Sequence, residues 1–368
     1  MYIKEIELKD FRNYEELKAS FSEKVNIFLG NNAQGKTNLL ESIYLNAMAK
    51  SFKSIKDREL IRFGEEFCRI KTKSFSDGEE QDTEIVISRD GKKVIKIDGA
   101  KADKSSQLLE RIFIIIFSPE DLKIVKDEPE KRRKFIDREL CLIKPGYYND
   151  LSNYKRVLKQ RNIYLKEEKI ESSILDIWDY ELAKYGSIII SRRKEFIEKI
   201  YDISRDIHDK ISGGLENISL KYETNMEFPD SYSSSEMENH FYDILRDSRS
   251  IDIKNRNTGI GPHKDDIKIS ADGIDLRKFG SQGQQRTAAL SLKLSEIKLI
   301  EEETGEKPIL LLDDVLSELD NERQTYLINS LGENQMFITT ADISGKVIKS
   351  LPEGKVFKIK KGKIEMEI

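Results

Sequence analysis

Cysteine is nearly absent, with two in 368 residues. Cys68 and Cys141 have neither the paired spacing of a zinc site nor the density of a disulfide framework, which argues against a metal-stapled or disulfide-rich secreted domain. No apolar run approaches the roughly 20 residues that a bilayer span needs. The start, Met1-Tyr2-Ile3-Lys4-Glu5, has no apolar signal-peptide core. These absences predict a reduced, cytoplasmic protein with no membrane partner. An excess of positive charge is missing too. The 63 Lys and Arg are outweighed by 67 Asp and Glu, for a net charge of −4. Any nucleic-acid surface must then be a local patch. Internal repeats and low-complexity segments are also lacking.

What is present starts with Gly30-Asn31-Asn32-Ala33-Gln34-Gly35-Lys36-Thr37, of the form G-x-x-x-x-G-K-T. Glycines at both ends let backbone N–H groups converge on one phosphate-sized concavity. Lys36 is expected to reach β- and γ-phosphate oxygens, and Thr37 to bind Mg²⁺. The context fits, since Val25–Leu29 reads as a strand and Asn38–Ala49 as an amphipathic helix whose dipole adds to the anion site. A second stretch, Ile309-Leu310-Leu311-Leu312-Asp313-Asp314, is an apolar strand delivering carboxylates at its end. Asp313 is the candidate Mg²⁺ ligand and Asp314 the group that orients the attacking water. A buried strand with acidic turn residues is the plainer alternative.

Two further stretches join these. Phe279-Gly280-Ser281-Gln282-Gly283-Gln284-Gln285-Arg286 opens a helix, and Ser317-Glu318-Leu319-Asp320 follows the acidic strand. The order of the four resembles the ATP-binding-cassette ATPases, in which Ser281 to Gln285 looks like the signature motif and Ser317 to Asp320 like the D-loop. That resemblance implies a head-to-head dimer in which Ser281, Gly283 and Gln284 meet the γ-phosphate bound by the partner's loop, with Ser317 and Asp320 at the same seam.

The remaining pattern predicts a discontinuous head, residues 1–119 and 254–368, interrupted by a helical lobe at 120–253. Tyr2–Leu8 reads as a strand and Lys9–Tyr14 as a turn. Glu84–Ser88 and Lys93–Ile97 read as a hairpin, and Phe113–Phe117 as a buried strand. In the lobe, Pro129 opens a helix, a second covers Tyr147–Glu168, and an apolar stripe from Ile174 to Ile207 predicts a helix roughly 50 Å long, stopped by Gly213-Gly214. The fold class is α/β: a cassette-type P-loop head, with a mixed sheet and flanking helices, plus an inserted α-helical lobe.

The opening Ile3–Tyr14, with Phe11-Arg12-Asn13, is similar to the first strand and turn of SMC-type heads. The matches Leu40-Glu41-Ser42-Ile43-Tyr44, Ser51-Phe52-Lys53-Ser54, Phe117-Ser118-Pro119-Glu120-Asp121-Leu122, Arg132–Asp137, Gly261-Pro262-His263-Lys264-Asp265-Asp266 and Asp313–Asp320 run in family order along the whole chain. With a compact lobe in place of a coiled-coil arm, they resemble the RecF family of bacterial recombination-mediator ATPases. The resemblance implies ATP and Mg²⁺ as cofactors, and nucleotide contacts from Arg12 and the stretch Gly30–Asn38. It also implies slow, switch-like hydrolysis, ATP-dependent dimerisation on double-stranded, gapped or single-stranded DNA, and RecR and RecO as partners in loading a recombinase. An SMC-like structural or defence ATPase with a separate effector is the alternative; a transporter motor ranks below both. Asp314 departs from the glutamate usual in the class, Thr339-Thr340 stands where a switch histidine is expected, and the Gln-loop is not evident. Basic residues offering phosphate contacts are Lys53, Lys56 and Arg58, then Arg132 and Arg133, with Arg192-Arg193-Lys194 as a further run; solvated helix faces are the bland reading. No recognition helix and no aromatic stacking motif is visible.

Overall fold

Residues 1–53, 55–109, 111–229, 232–342 and 351–367 are described by the computed structural model. Ser54 of the quoted basic loop, residues 230–231 of the lobe and residue 368 of the head lie outside them. In chain order the elements are β1 (Tyr2–Phe11), β2 (Tyr14–Ser20), β3 (Val25–Leu29), α1 (Lys36–Met48), β4 (Phe67–Ser76), β5 (Glu79–Ser88), β6 (Lys93–Ile97), β7 (Ala100–Lys101), β8 (Ile114–Phe117), α2 (Pro129–Ile143), α3 (Pro145–Tyr164), α4 (Ser172–Ser212), β9 (Ile218–Glu223), α5 (Ser234–Asn255), β10 (Asp266–Ala271), β11 (Ile274–Asp275), α6 (Leu276–Phe279), α7 (Gln282–Thr304), β12 (Ile309–Asp313), α8 (Asn321–Ser330), β13 (Met336–Thr340), β14 (Gly354–Lys360) and β15 (Lys363–Glu367). None of the helices is long and apolar enough to cross a membrane, among the described residues.

The chain divides into two compact units, Met1–Leu122 with Lys293–Ile368, and Lys123–Leu292. The first contains two six-stranded sheets. One is antiparallel, in the order β2-β1-β4-β5-β6-β7. In the other, β14, β3, β13, β12 and β8 run parallel, and β15 closes the edge antiparallel. The parallel strands are near-continuous apolar runs, as strands covered on both faces must be; Ile309–Leu312 is fully buried. A single core joins the sheets to α1 through Ile6, Ile70, Ile85, Leu39, Leu40, Phe28, Leu311 and Phe337. The turn expected at Lys9–Tyr14 is shorter than that. Phe11 pairs with Tyr14, leaving Arg12 and Asn13 as a two-residue hairpin loop with Arg12 at φ 55°.

The second unit packs α3 and α5 against α4, a helix of 41 residues ended by Gly213 in the left-handed region. Mid-helix Gly186 is where the packing is closest: a Cβ there would sit 2.4 Å from Phe241 Cε1 and 3.2 Å from Tyr154 Cε2. Arg161, fully buried, is held by Asp179 and Asp252 at 2.7 Å each and by Thr258 at 2.8 Å. Two expectations are corrected here. The lobe is not purely helical, because β9, β10 and β11 form a three-stranded sheet. Its end is not at residue 253 but at Leu292: β9 takes its partner, β10, from beyond the expected boundary, and β10 packs on α2.

Candidate nucleotide site

Parallel strands bring their C-terminal ends to one edge, where ligands of open α/β sheets bind. Three of those ends build the site. From β3 the chain enters the loop Gly30–Gly35 and then α1. The loop needs unusual backbone: Ala33 has φ 63° and Gly35 φ 117°. At Gly35 a Cβ would meet the Asn13 amide at 2.7 Å, so only glycine fits. Asn31, Asn32 and Ala33 are exposed, while Gly35 and Lys36 are buried. The Lys36 ammonium points back into the concavity, donating to the carbonyls of Gly30 (2.6 Å) and Asn31 (3.3 Å). Distant segments hold the loop. The Tyr14 hydroxyl donates to the Gly35 carbonyl at 3.0 Å, and Asn13 Nδ2 to the Gln34 carbonyl at 3.1 Å. The N–H groups of Lys361 and Gly362 donate to Gln34 from the C-terminal hairpin.

The end of β12 presents Asp313 to this loop. Its Oδ1 accepts the Thr37 hydroxyl at 2.8 Å and the Thr339 hydroxyl, from β13, at 2.9 Å. Burial pushes the Asp313 carboxyl up, against the hydrogen bonds from Thr37 and Thr339. Asp314 turns into the left-handed region, φ 50°, a conformation aspartate tolerates better than most residues. Its N–H donates to the Thr339 hydroxyl at 2.8 Å, and its carboxylate has no hydrogen-bond partner among the described residues. Thr339 therefore ties the two acids together from the position where a histidine was expected. An oxygen-only set of one hydroxyl and one carboxylate suits a hard cation such as Mg²⁺, which takes one or two carboxylates and completes its shell with phosphate and water.

Arg12 is engaged elsewhere. Its guanidinium forms a fork onto buried Glu41 of α1 (2.8 and 3.0 Å) and donates to the Glu59 carbonyl. Glu41 also accepts from Ser51 at 2.5 Å and from Lys53 at 3.3 Å. Burial raises the Glu41 carboxyl, but the Arg12 and Ser51 bonds and the Lys53 charge outweigh it and hold it below its ordinary value. Asn38 Nδ2 donates to Asn13 Oδ1 at 2.8 Å and Asn38 Oδ1 accepts from Lys53. Sequence reasoning placed Thr339 at the switch-histidine position and Glu41 in a family match, but gave neither a contact.

Ser281, Gly283 and Gln284 lie in the other unit, at the start of α7. Ser281 is exposed and caps the helix: its Oγ accepts the Gln284 N–H at 3.2 Å, while Gln284 Oε1 accepts the Ser281 N–H at 2.9 Å. That reciprocal pair is a capping box. Ser317 donates to the Asp314 carbonyl at 2.7 Å, and Asp320 caps α8 by accepting the Arg323 N–H. Among the basic candidates, Lys53, Lys56 and Arg58 are exposed. Arg132 is not: 1% accessible, it forks onto Asp266 at 2.7 and 2.9 Å and donates to the carbonyls of Ile124 and Asp127. Arg193 is likewise buried against Asp137 and the Pro262 carbonyl. Both leave the set of phosphate contacts, because their charge is spent inside the lobe. Arg133 is half-buried, donating to the Asp265 carbonyl at 2.6 Å. His263 is half-buried, with Nε2 donating to the Thr258 carbonyl at 3.1 Å and Nδ1 accepting the Tyr154 hydroxyl at 2.7 Å.

Residues 2–361 match the family model of the RecF/RecN/SMC N-terminal domain. The chain is 44% identical over 369 residues to the DNA replication and repair protein RecF of Agathobacter rectalis, covering 100% of this chain and 99% of that one. Its identity to the protein of the same name from Lachnospira eligens is 45% over 372 residues, with both chains fully covered. A solved structure of the recombination mediator protein RecF-ATPrS in the RecFOR pathway superposes with a TM-score of 0.92 at 39% identity, over 99% of this chain and 97% of that one. The fold and the loop-and-acid edge define an SMC-type head of the ATP-binding-cassette class. Within that class the chain belongs to the RecF family.

Proposed function

We propose that this chain is an ATPase of recombinational repair that clamps DNA as an ATP-held dimer and releases it on slow hydrolysis. The observation that carries the reading is the meeting of Thr37, Asp313 and Thr339 within 2.9 Å, from segments some 300 residues apart in sequence. In this reading the loop amides and Lys36 hold the triphosphate. Thr37 and Asp313 hold Mg²⁺, which neutralises charge that develops between the β- and γ-phosphates. Asp314, its carboxylate unpartnered among the described residues, orients water for in-line attack; a side chain one methylene shorter than glutamate suits slow turnover. Ser281, Gly283 and Gln284 meet the partner's γ-phosphate, with Ser317 and Asp320 at the same seam. Arg12 and Asn38 border the nucleotide, and Arg12 reaches it only by leaving Glu41. The relatives' names support DNA repair as the process, and the RecFOR pathway named for a solved relative supports RecR and RecO as partners; their direction of recombinase loading at gaps is part of the proposal.

Sedimentation with ATP and magnesium tests this. Wild type should form dimers, Lys36→Met should remain monomeric, and Asp314→Asn should accumulate dimers because hydrolysis is blocked while binding persists. Equal sedimentation of all three proteins would end the reading.

A further inference from the structure

Phe63 and Phe279 are the most exposed aromatic side chains among the described residues, 98% and 76% accessible. One lies in each compact unit, and neither ring is covered by its own chain. A single exposed phenylalanine is ordinary. These two are held on defined backbone beside the two halves of the proposed nucleotide seam. Phe63 follows residues 60–62, which extend the edge of β1: Arg12 N–H donates to the Leu60 carbonyl and Arg62 N–H to the Asp10 carbonyl. Its turn closes with Glu65 N–H on the Arg62 carbonyl at 3.0 Å and Gly64 at φ 94°. The hairpin loop that anchors this turn also grips the phosphate loop, through Asn13 on Gln34. Phe279 ends α6, which Asp275 caps and fully buried Leu276 roots. The Leu276 carbonyl accepts the Gly280 N–H at 3.2 Å and Gln285 Nε2, from α7, at 2.8 Å. A Cβ on Gly280 would lie 2.6 Å from that carbonyl, so the turn into Ser281 admits only glycine.

Two residues span at most about 7 Å of chain, so Phe279 stands within that reach of the exposed cap Ser281. In the reading above, Ser281 faces the partner's phosphate loop. The ring two residues before it then faces what borders that loop, and the exposed apolar side chain there is Phe63. Positive charge stands on both sides: Lys56 and Arg58 shortly before the first ring, Lys278 next to the second, all exposed. Such faces repel each other until a triphosphate between them supplies negative charge, so the rings can meet only after ATP binds. We infer that Phe63 of one chain packs against the partner's Phe279, twice in a symmetric dimer. Four rings that the separate chains leave in water are then buried, and an aromatic pair gains from ring geometry beyond the area it covers. This rests on the ATP-held dimer proposed above and gives each of its two nucleotide sites an apolar anchor.

The test uses the full chain with ATP and magnesium. In sedimentation, Phe63→Ala and Phe279→Ala should each raise the dimer Kd by roughly 10- to 100-fold. Carrying both substitutions should cost no more than about the larger single effect, because each already removes the same contact. Leucine at either position should restore part of the loss. Cross-linking gives a second measurement. Cys68 and Cys141 are buried, so a short bis-maleimide reaches introduced thiols first. A mixture of Phe63→Cys and Phe279→Cys chains should yield a covalent dimer with ATP, whereas neither chain alone should. Additive costs in the double variant, or a mixture that fails to cross-link while wild type dimerises, would overturn the inference and leave the dimer standing. If Phe63→Ala weakens ATP binding by the dilute single chain as much as it weakens the dimer, the ring serves its own chain's nucleotide and the inference also falls. If wild type stays monomeric with ATP, the clamp reading fails and takes the ring contact with it.

Discussion

His263 shows how one residue's surroundings decide its role. Held between Tyr154 and the Thr258 carbonyl and only partly accessible, it has little water to solvate an imidazolium. Burial, reinforced by the charges of Lys264, Arg133 and Arg193, pulls its pKa to about 4 from 6.5. The native state then binds the proton less tightly than the unfolded chain does. Stability is complete above 6.5, falls as pH drops through that value, and levels off near 4. Each unit of difference is worth about 1.4 kcal/mol, so the single histidine accounts for a loss of about 3 kcal/mol over that window. His208, also held neutral by burial in the same unit, adds a share in the same direction. Replacing His263 with Gln should lower stability at neutral pH, since two hydrogen bonds are disturbed, yet flatten the decline between pH 7 and pH 4.5. Urea unfolding at a series of pH values measures this; a variant as acid-sensitive as wild type would show that the proton goes elsewhere.

At the scale of elements, Gly186 carries the sharpest prediction. Glycine in a helix interior costs roughly 1 kcal/mol relative to alanine, so Gly186→Ala should stabilise α4 if propensity were all that mattered. The Phe241 ring, 2.4 Å from the added Cβ, reverses the sign. Overpacking of this kind costs typically 1–3 kcal/mol, and the variant should unfold at lower denaturant than wild type. A rise in the midpoint would mean that α5 can move aside. Such close approaches are invisible in sequence, and they mark the limit of what could be read there. The P-loop, the acidic strand, the β5–β6 hairpin and α4 were legible because each declares itself in the local pattern. β4 was not. Its inward positions run Cys68, Ile70, Thr72, Ser74 and Ser76, so the apolar alternation fades halfway along. The inward hydroxyl of Thr72 is satisfied by Thr83 of β5 at 2.7 Å, and Thr83 in turn donates to Asn46 of α1. β9 was missed because its partner strand lies over 40 residues downstream, beyond the expected lobe boundary. Arg132 was misread for a related reason: sequence shows the charge, while the neutralising Asp266 stands 134 positions away. At the site, the residues that touch phosphate and metal in the proposed reading were readable as motifs; the positions of Thr339 and Glu41 were readable too, but not that they join motifs, because their partners Asp313 and Arg12 stand 26 and 29 positions away.

For the whole molecule, the claim to test is that each nucleotide is shared between two chains. The phosphate loop and Asp313 belong to one compact unit and the exposed cap Ser281 to the other, so a symmetric pair of chains can offer one chain's loop to its partner's α7 twice over. Complementation separates this from a site completed within one chain. Lys36→Met removes the loop's grip but leaves Ser281 intact. Ser281→Arg sets bulk and charge on an exposed helix N-terminus, leaving the loop intact and the core undisturbed. Each variant alone should neither dimerise with ATP nor hydrolyse it. Mixed, they can form only one productive pairing, in which the loop of the Ser281→Arg chain faces the unaltered Ser281 of the Lys36→Met chain. Hydrolysis should then return to at most about half the wild-type level, because the second site of every such pair holds both lesions. Dimers should reappear in sedimentation only in the mixture. A mixture as inactive as its parts would show that α7 serves the nucleotide of its own chain, or none.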